Sequence, residues 1–179
     1  METLTSFAEY EARIRPEIAG IIKSYRRVAG EFDKLWKAIS VRSDQNFWRL
    51  PERQGIGSCT GDSGLSISGP ARPDLFELRK RRNREAEGIR LAKACEFHRA
   101  GKGCVLGDLK SPLCLEYVDK YHETEMQNRF DISMLKMEPT LLRILSGNAH
   151  DDLVQAAVEN IQNRIKYIEV FPILHPEEI

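Results

Sequence analysis

The chain has 179 residues, 41% hydrophobic and 30% charged, which is apolar enough to bury an ordinary core without disulfides and too apolar for disorder. Lys plus Arg and Asp plus Glu number 27 each, so no whole-molecule field directs it to nucleic acid or an anionic membrane, and any basic partner surface has to be local. No run of 18 apolar residues offers a membrane span and the acidic N-terminal stretch carries no secretory pattern, so the expected location is cytoplasmic, with no membrane partner.

A short helix is expected over residues 4–13, followed by a long one. In the long helix Ile18, Tyr25, Phe32 and Ile39 recur every seven residues, with Ile21/Ile22, Val28/Ala29 and Leu35/Trp36 between them. Pro16 suits its first turn, where no hydrogen bond is lost. Residues 42–73 break the pattern: Pro51, Gly55, Gly57, Gly61, Gly64, Gly69 and Pro70 mark a long loop, with short extended pieces at 46–50 and 65–68. A loop of that length inside a compact domain is functional or tied down, and Cys59 lies within it. Gly61-Asp62-Ser63-Gly64 imitates a serine-protease nucleophile motif, but no histidine precedes Ser63, and the segment reads as a turn.

Asp74 is the expected N-cap of a helix reaching Cys95, with Leu75, Leu78, Ile89, Leu91 and Ala92 facing inward. This helix carries Arg79, Lys80, Arg81, Arg82 and Arg84. From Arg79 to Cys104 there are nine basic residues against three acidic ones, a local net of +6. Spread around a helix, such cations are expected to be largely exposed. They then form either a solvated face paired with Glu77, Glu85 and Glu87 or, across the basic helix 79–93, a phosphate-contacting stripe for nucleic acid. Gly101, Gly103 and Gly107 make residues 96–112 a turn-rich knot. A helix over 113–130, a short one from Pro139 to Gly147 and a last one over 151–170 complete the pattern, the last with Val154, Ala157, Val158, Ile161, Ile165 and Ile168 on one face. The expected class is all-α: a helical bundle interrupted by a long loop and a cysteine-rich metal-binding knot, in a single domain over 1–179 (N-terminal helices 1–41, loop 42–73, cysteine region 74–130, C-terminal helices 138–170).

Chemistry is expected at Cys59, Cys95, Cys104 and Cys114, with 35, 8 and 9 residues between them. In a reducing compartment clustered cysteines bind metal rather than form disulfides. Thiolates are strong soft ligands, and four of them close a tetrahedral zinc site or hold a 4Fe–4S cubane. The absence of any C-x2-C pair favours the iron–sulfur cluster, whose four corners take single, separated ligands, with zinc as the alternative. Cys95-Glu96-Phe97-His98 is a C-x2-H pair, so Cys95, His98, Cys104 and Cys114 form a second ligand set that leaves Cys59 free.

Residues 94–117, ACEFHRAGKGCVLGDLKSPLCLEY, resemble the second half of the YkgJ-like zinc- or iron-chelating cysteine-cluster proteins: a Cys followed by an aromatic, Gly-Cys, a basic residue near Pro, and a last Cys before an aromatic. The places are taken by Cys95–Phe97, Gly103–Cys104, Lys110 with Pro112, and Cys114 with Tyr117. The family's first, tighter cysteine cluster falls near 58–64, where this chain has Cys59 alone. The resemblance implies metal binding and no particular reaction. Two functions beside a structural metal protein within a larger assembly stay open at this point: an iron–sulfur redox protein or enzyme, and a nucleic-acid-associated protein using the basic helix.

Overall fold

The computed structural model describes residues 5–42, 69–90, 95–100, 102–116 and 138–170. Helix makes up 70% of the described residues. In chain order the elements are α1 (Phe7–Glu11), α2 (Pro16–Arg42), α3 (Arg72–Glu85), strands β1 (His98–Arg99) and β2 (Gly103–Cys104), a 3-10 turn (Gly107–Leu109), α4 (Pro112–Glu116), α5 (Glu138–Leu145) and α6 (Asp151–Val170). The mostly helical expectation stands, with one addition: residues 96–105 hold a two-stranded antiparallel ladder.

The stripe on α2 produces the core. Ile18, Ile22, Tyr25, Val28, Ala29, Phe32 and Leu35 are all buried and recur at intervals of three and four, so one face of the helix is apolar for five turns. Val154, Ala157, Val158, Ile161 and Ile168 of α6 pack along it, while Leu141, Ile144 and Leu145 of α5 close one end. Ile165, expected inward, is half-buried. At the end of α5, Gly147 has φ +78°, its N–H donating to Ile144 O at 2.9 Å and that of Asn148 to Arg143 O at 3.2 Å. This paired cap needs a left-handed residue, which glycine supplies without strain.

Three expectations about the N-terminal half need correcting. The N-cap of α3 is Ala71, not Asp74, because Pro73 occupies the first turn and moves the start upstream; Asp74 instead sits in that turn and accepts a bond from Tyr10. The helix ends at Glu85 rather than Cys95: Ala86 is extended (ψ 123°) and Gly88 takes φ +120° against the stem of Arg99, a close approach that any Cβ would crowd. Ile89, past that stop, is 76% exposed instead of inward. The extended pieces expected in the long loop, Cys59, Leu91, Ala92 and the greater part of the helix expected over 113–130 lie outside the described residues.

Helix α1 is shorter than expected and is built by local chemistry. Ser6 Oγ accepts from the N–H of Glu9 while the Glu9 carboxylate accepts from the N–H of Ser6, a reciprocal capping box. It docks on α3 through cations: the Arg81 guanidinium lies 4.4 Å from the centre of the Tyr10 ring and that of Arg82 4.6 Å from Phe7. The Tyr10 hydroxyl donates to Asp74 Oδ1 at 2.8 Å. Burial first, then the hydrogen bond and charge of Asp74, raise the Tyr10 pKa from 10.0 to about 12. A raised acid pKa means that the docked state prefers the neutral phenol. Its contribution is present below pH 10 and is lost as pH rises towards 12. Subtracting the 295 nm titration of Tyr10→Phe from that of the unaltered chain is expected to leave one tyrosinate transition near pH 12; a difference transition at pH 10 means that α1 is undocked.

Candidate metal centre

The cysteine segment is held by its main chain. On one side α2 supplies the grip: Tyr25 Oη donates to Lys110 O, Arg26 Nε donates to Asp108 Oδ2 at 2.6 Å, and Lys110 Nζ pairs with Asp33 Oδ1. The 3-10 turn lies against α2 at Gly30, where a Cβ would stand 3.5 Å from that of Asp108, an ordinary van der Waals contact. On the other side α3 supplies arginines. Arg79 Nε donates to Leu109 O at 2.6 Å, and Arg82 Nη1 donates to Leu106 O at 2.9 Å and pairs with Asp108. From β1, Arg99 reaches back to α3 and donates through Nη2 to Asn83 O at 2.8 Å and Asn83 Oδ1 at 2.6 Å; its Nη1 donates to Glu96 O at 2.8 Å and His98 O at 3.1 Å.

The basic run of α3 is therefore not a largely exposed face, contrary to the expectation from its charge. Arg79 is 1% exposed, and Arg81 and Arg82 are partly buried against α1 and the 3-10 turn. Only Lys80 and Arg84 of the five stand out in solvent, and both lie within ion-pair distance of Glu77. The inward arginines fit because a guanidinium can fork onto main-chain carbonyls while its stem packs as an apolar chain.

Within this frame Cys95 precedes the hairpin, Cys104 ends β2, and Cys114 sits in the first turn of α4. Ser111 caps α4, its Oγ accepting from the N–H of Cys114 at 3.2 Å, and this cap sets where Cys114 stands. The hairpin pairs His98 with Cys104 and Arg99 with Gly103, and Gly103 at φ +76° turns the chain into β2. The three cysteines are free thiols, half-buried and packed against the core.

They also feel one another. Burial pushes the Cys104 thiol up, with Cys114 and Cys95 adding to the rise while Lys110 and the N–H of Leu106 oppose it. Burial likewise raises Cys95, opposed by the N–H of Phe97 and reinforced by Cys114 and Glu96. His98 is 7% exposed; burial and then Arg99 lower its pKa, favouring the neutral imidazole. Burial works against the ammonium of Lys110, but Asp33 and then Cys104 outweigh it and raise its pKa. The segment thus brings three of the four expected cysteines within range of each other's charge, and the fourth, Cys59, lies outside the described residues. Among the described residues no three His, Cys, Asp or Glu side chains converge closely enough to hold a metal ion as they stand.

No family model, curated protein or solved structure matches the chain. No helix among the described residues is long and apolar enough to cross a membrane.

Pattern reading missed Asp33, Asn83, Arg99 and Asp108, which act on the site through carbonyls or through ion pairs, and it named Lys110 without its partner Asp33. One signal for the arginines was present: Leu75, Leu78, Arg79, Arg82 and Asn83 share a helical face at intervals of three, one, three and one.

Proposed function

We propose that the chain is a metal-binding helical protein whose bundle carries a cysteine knot, and that Cys95, Cys104 and Cys114 with a fourth ligand, Cys59 or His98, hold an iron–sulfur cluster or a zinc ion. The observation that carries this reading is the gathering of three free thiols on one 20-residue segment, Cys95 ahead of the hairpin, Cys104 at the end of β2 and Cys114 in α4, each within electrostatic reach of the others. The resemblance of residues 94–117 to the cysteine-cluster proteins supports the same reading.

The role is structural, within a larger assembly or with a protein partner in the reducing cytoplasm. Because the thiols stand apart until a metal draws them in, binding free energy becomes local folding free energy, which tightens the hairpin onto α4. The nucleic-acid reading loses most of its stripe, since three of its five cations are occupied inside the protein. The experiment is anaerobic purification with metal analysis and a visible spectrum. A brown absorption near about 400 nm with about four irons per chain establishes the cluster, and a colourless protein with one zinc establishes the zinc site. A chain that takes up neither metal under reducing conditions overturns the proposal.

A further inference from the structure

We infer that α1 is a strap over the cysteine segment: docked, it covers the ion-pair clamp on the turn between Cys104 and Cys114, and strap and turn open as one unit. Asp108 is the centre of that clamp. Its Oδ2 accepts from Arg26 Nε of α2 at 2.6 Å, and its Oδ1 pairs with Arg82 of α3, whose Nη1 also donates to Leu106 O at 2.9 Å. Phe7 lies against both guanidiniums, with Arg82 Cζ 4.6 Å and Arg26 Cζ 6.0 Å from the centre of its ring, and Glu11 pairs with Arg26. With α1 in place the side chains of Arg26, Asp108 and Arg82 are only 27%, 27% and 24% exposed. None of these contacts involves a thiol, so the strap operates whether or not the cysteines hold a metal.

The strap is easily lifted. A five-residue helix does not hold itself together, so α1 stays in place only through its contacts. None of its residues is fully buried; Phe7 and Tyr10 pack half-buried against the core. The rest of its hold is polar: the N–H of Phe7 donates to Glu85 Oε1 at 2.6 Å, the Tyr10 hydroxyl bonds to Asp74, and Arg81 bonds to Thr5 and lies over the Tyr10 ring. Segments held in this way open locally far more often than a core does. Lifting α1 takes the Phe7 ring off both arginines and lets water reach Asp108, and an ion pair open to water is worth little. The Leu106 carbonyl then loses a firmly placed donor. Leu109 O and Lys110 O keep theirs, Arg79 and Tyr25, so the turn loosens without the segment coming away.

Amide hydrogen exchange on the full chain as purified, compared with Phe7→Ala, tests the coupling. The N–H of Leu109 donates to Leu106 O at 2.9 Å and that of Lys110 to Gly107 O at 3.3 Å, so these two report on the turn. Those of Tyr10 and Ala12, bonded to Ser6 O and Ala8 O at 3.0 Å, report on α1. Phe7→Ala is expected to speed exchange at all four by a similar factor, about tenfold, while Val28 and Ile161 on the buried faces of α2 and α6 change by less than about twofold. Should Phe7→Ala fail to fold, Phe7→Leu keeps an apolar cover without the ring and is read in the same way at about threefold. Faster exchange in α1 with Leu109 and Lys110 unchanged means that α1 opens on its own and overturns the inference. So does an equal rise at Val28 and Ile161, which is a loss of global stability. Unchanged rates at all four amides, or α1 amides already unprotected in the unaltered chain, overturn it as well.

Discussion

Replacing Arg99 with alanine is expected to lower the unfolding free energy by about 3–5 kcal/mol. The guanidinium is 1% exposed and donates to Asn83 O, Asn83 Oδ1, Glu96 O and His98 O, with no carboxylate among these partners. Asn83 lies in the last turn of α3, where carbonyls lack helical partners and the helix dipole favours a cation, so Arg99 ties the helix end to the cysteine hairpin. Truncation leaves those acceptors buried and opens a cavity along Gly88. Arg99→Lys keeps the charge but cannot fork onto three main-chain carbonyls, so it recovers only a minor part of the loss. Urea unfolding of the two variants at neutral pH checks this; an alanine variant within about 1 kcal/mol of the unaltered chain would mean that the hairpin is not held by this residue.

Asp33→Asn is expected to cost about 2–4 kcal/mol at neutral pH, with a loss that shrinks in acid. Asp33 is buried on α2, paired with Lys110 and, at 2.8 Å, with Lys37. Burial on its own would raise its pKa, but the charge and hydrogen bond of Lys110, aided by Lys37, outweigh it and hold the carboxyl below the ordinary 3.8. A depressed carboxylate pKa stabilises the folded chain above the unfolded value, and that contribution disappears as pH falls through the folded one. The unaltered chain and Asp33→Asn should therefore separate fully above pH 3.8 and converge below it. The loss comes mainly from stranding the Lys110 ammonium, so Asp33→Leu combined with Lys110→Met should regain most of it. A double variant no more stable than the single one sinks that account.

Periodicity showed where the long helices lie. The seven-residue recurrence of Ile18, Tyr25 and Phe32, and the Val154–Ala157–Val158–Ile161 face, identify α2 and α6 because an amphipathic stripe over many turns has no competing explanation. Pro139 and Gly147 bracket α5 by the same backbone rules that operate in the folded chain. The two-residue strands were illegible, since alternation needs four or more residues to register. The inward arginines of α3 are hidden for a different reason: a run of cations reads as a solvated face, and the carbonyls of Leu109 and Leu106 that Arg79 and Arg82 reach leave no trace in a side-chain pattern. Of the candidate site, the cysteines were visible as residue types. The partnership of His98 with Cys104 depends on the hairpin register, which the spacing alone does not fix.

The grip on the cysteine segment has a consequence for how freely this region can change. Arg79, Arg82, Arg99 and Tyr25 grasp the oxygens of Leu109, Leu106, Asn83, Glu96, His98 and Lys110, atoms that every amino acid carries. The frame therefore recognises the path of the chain and is blind to the identity of most residues along it. Exposed positions such as Lys102 can vary without loosening the frame, and new ligating side chains can be written into the hairpin while the arginines keep its shape.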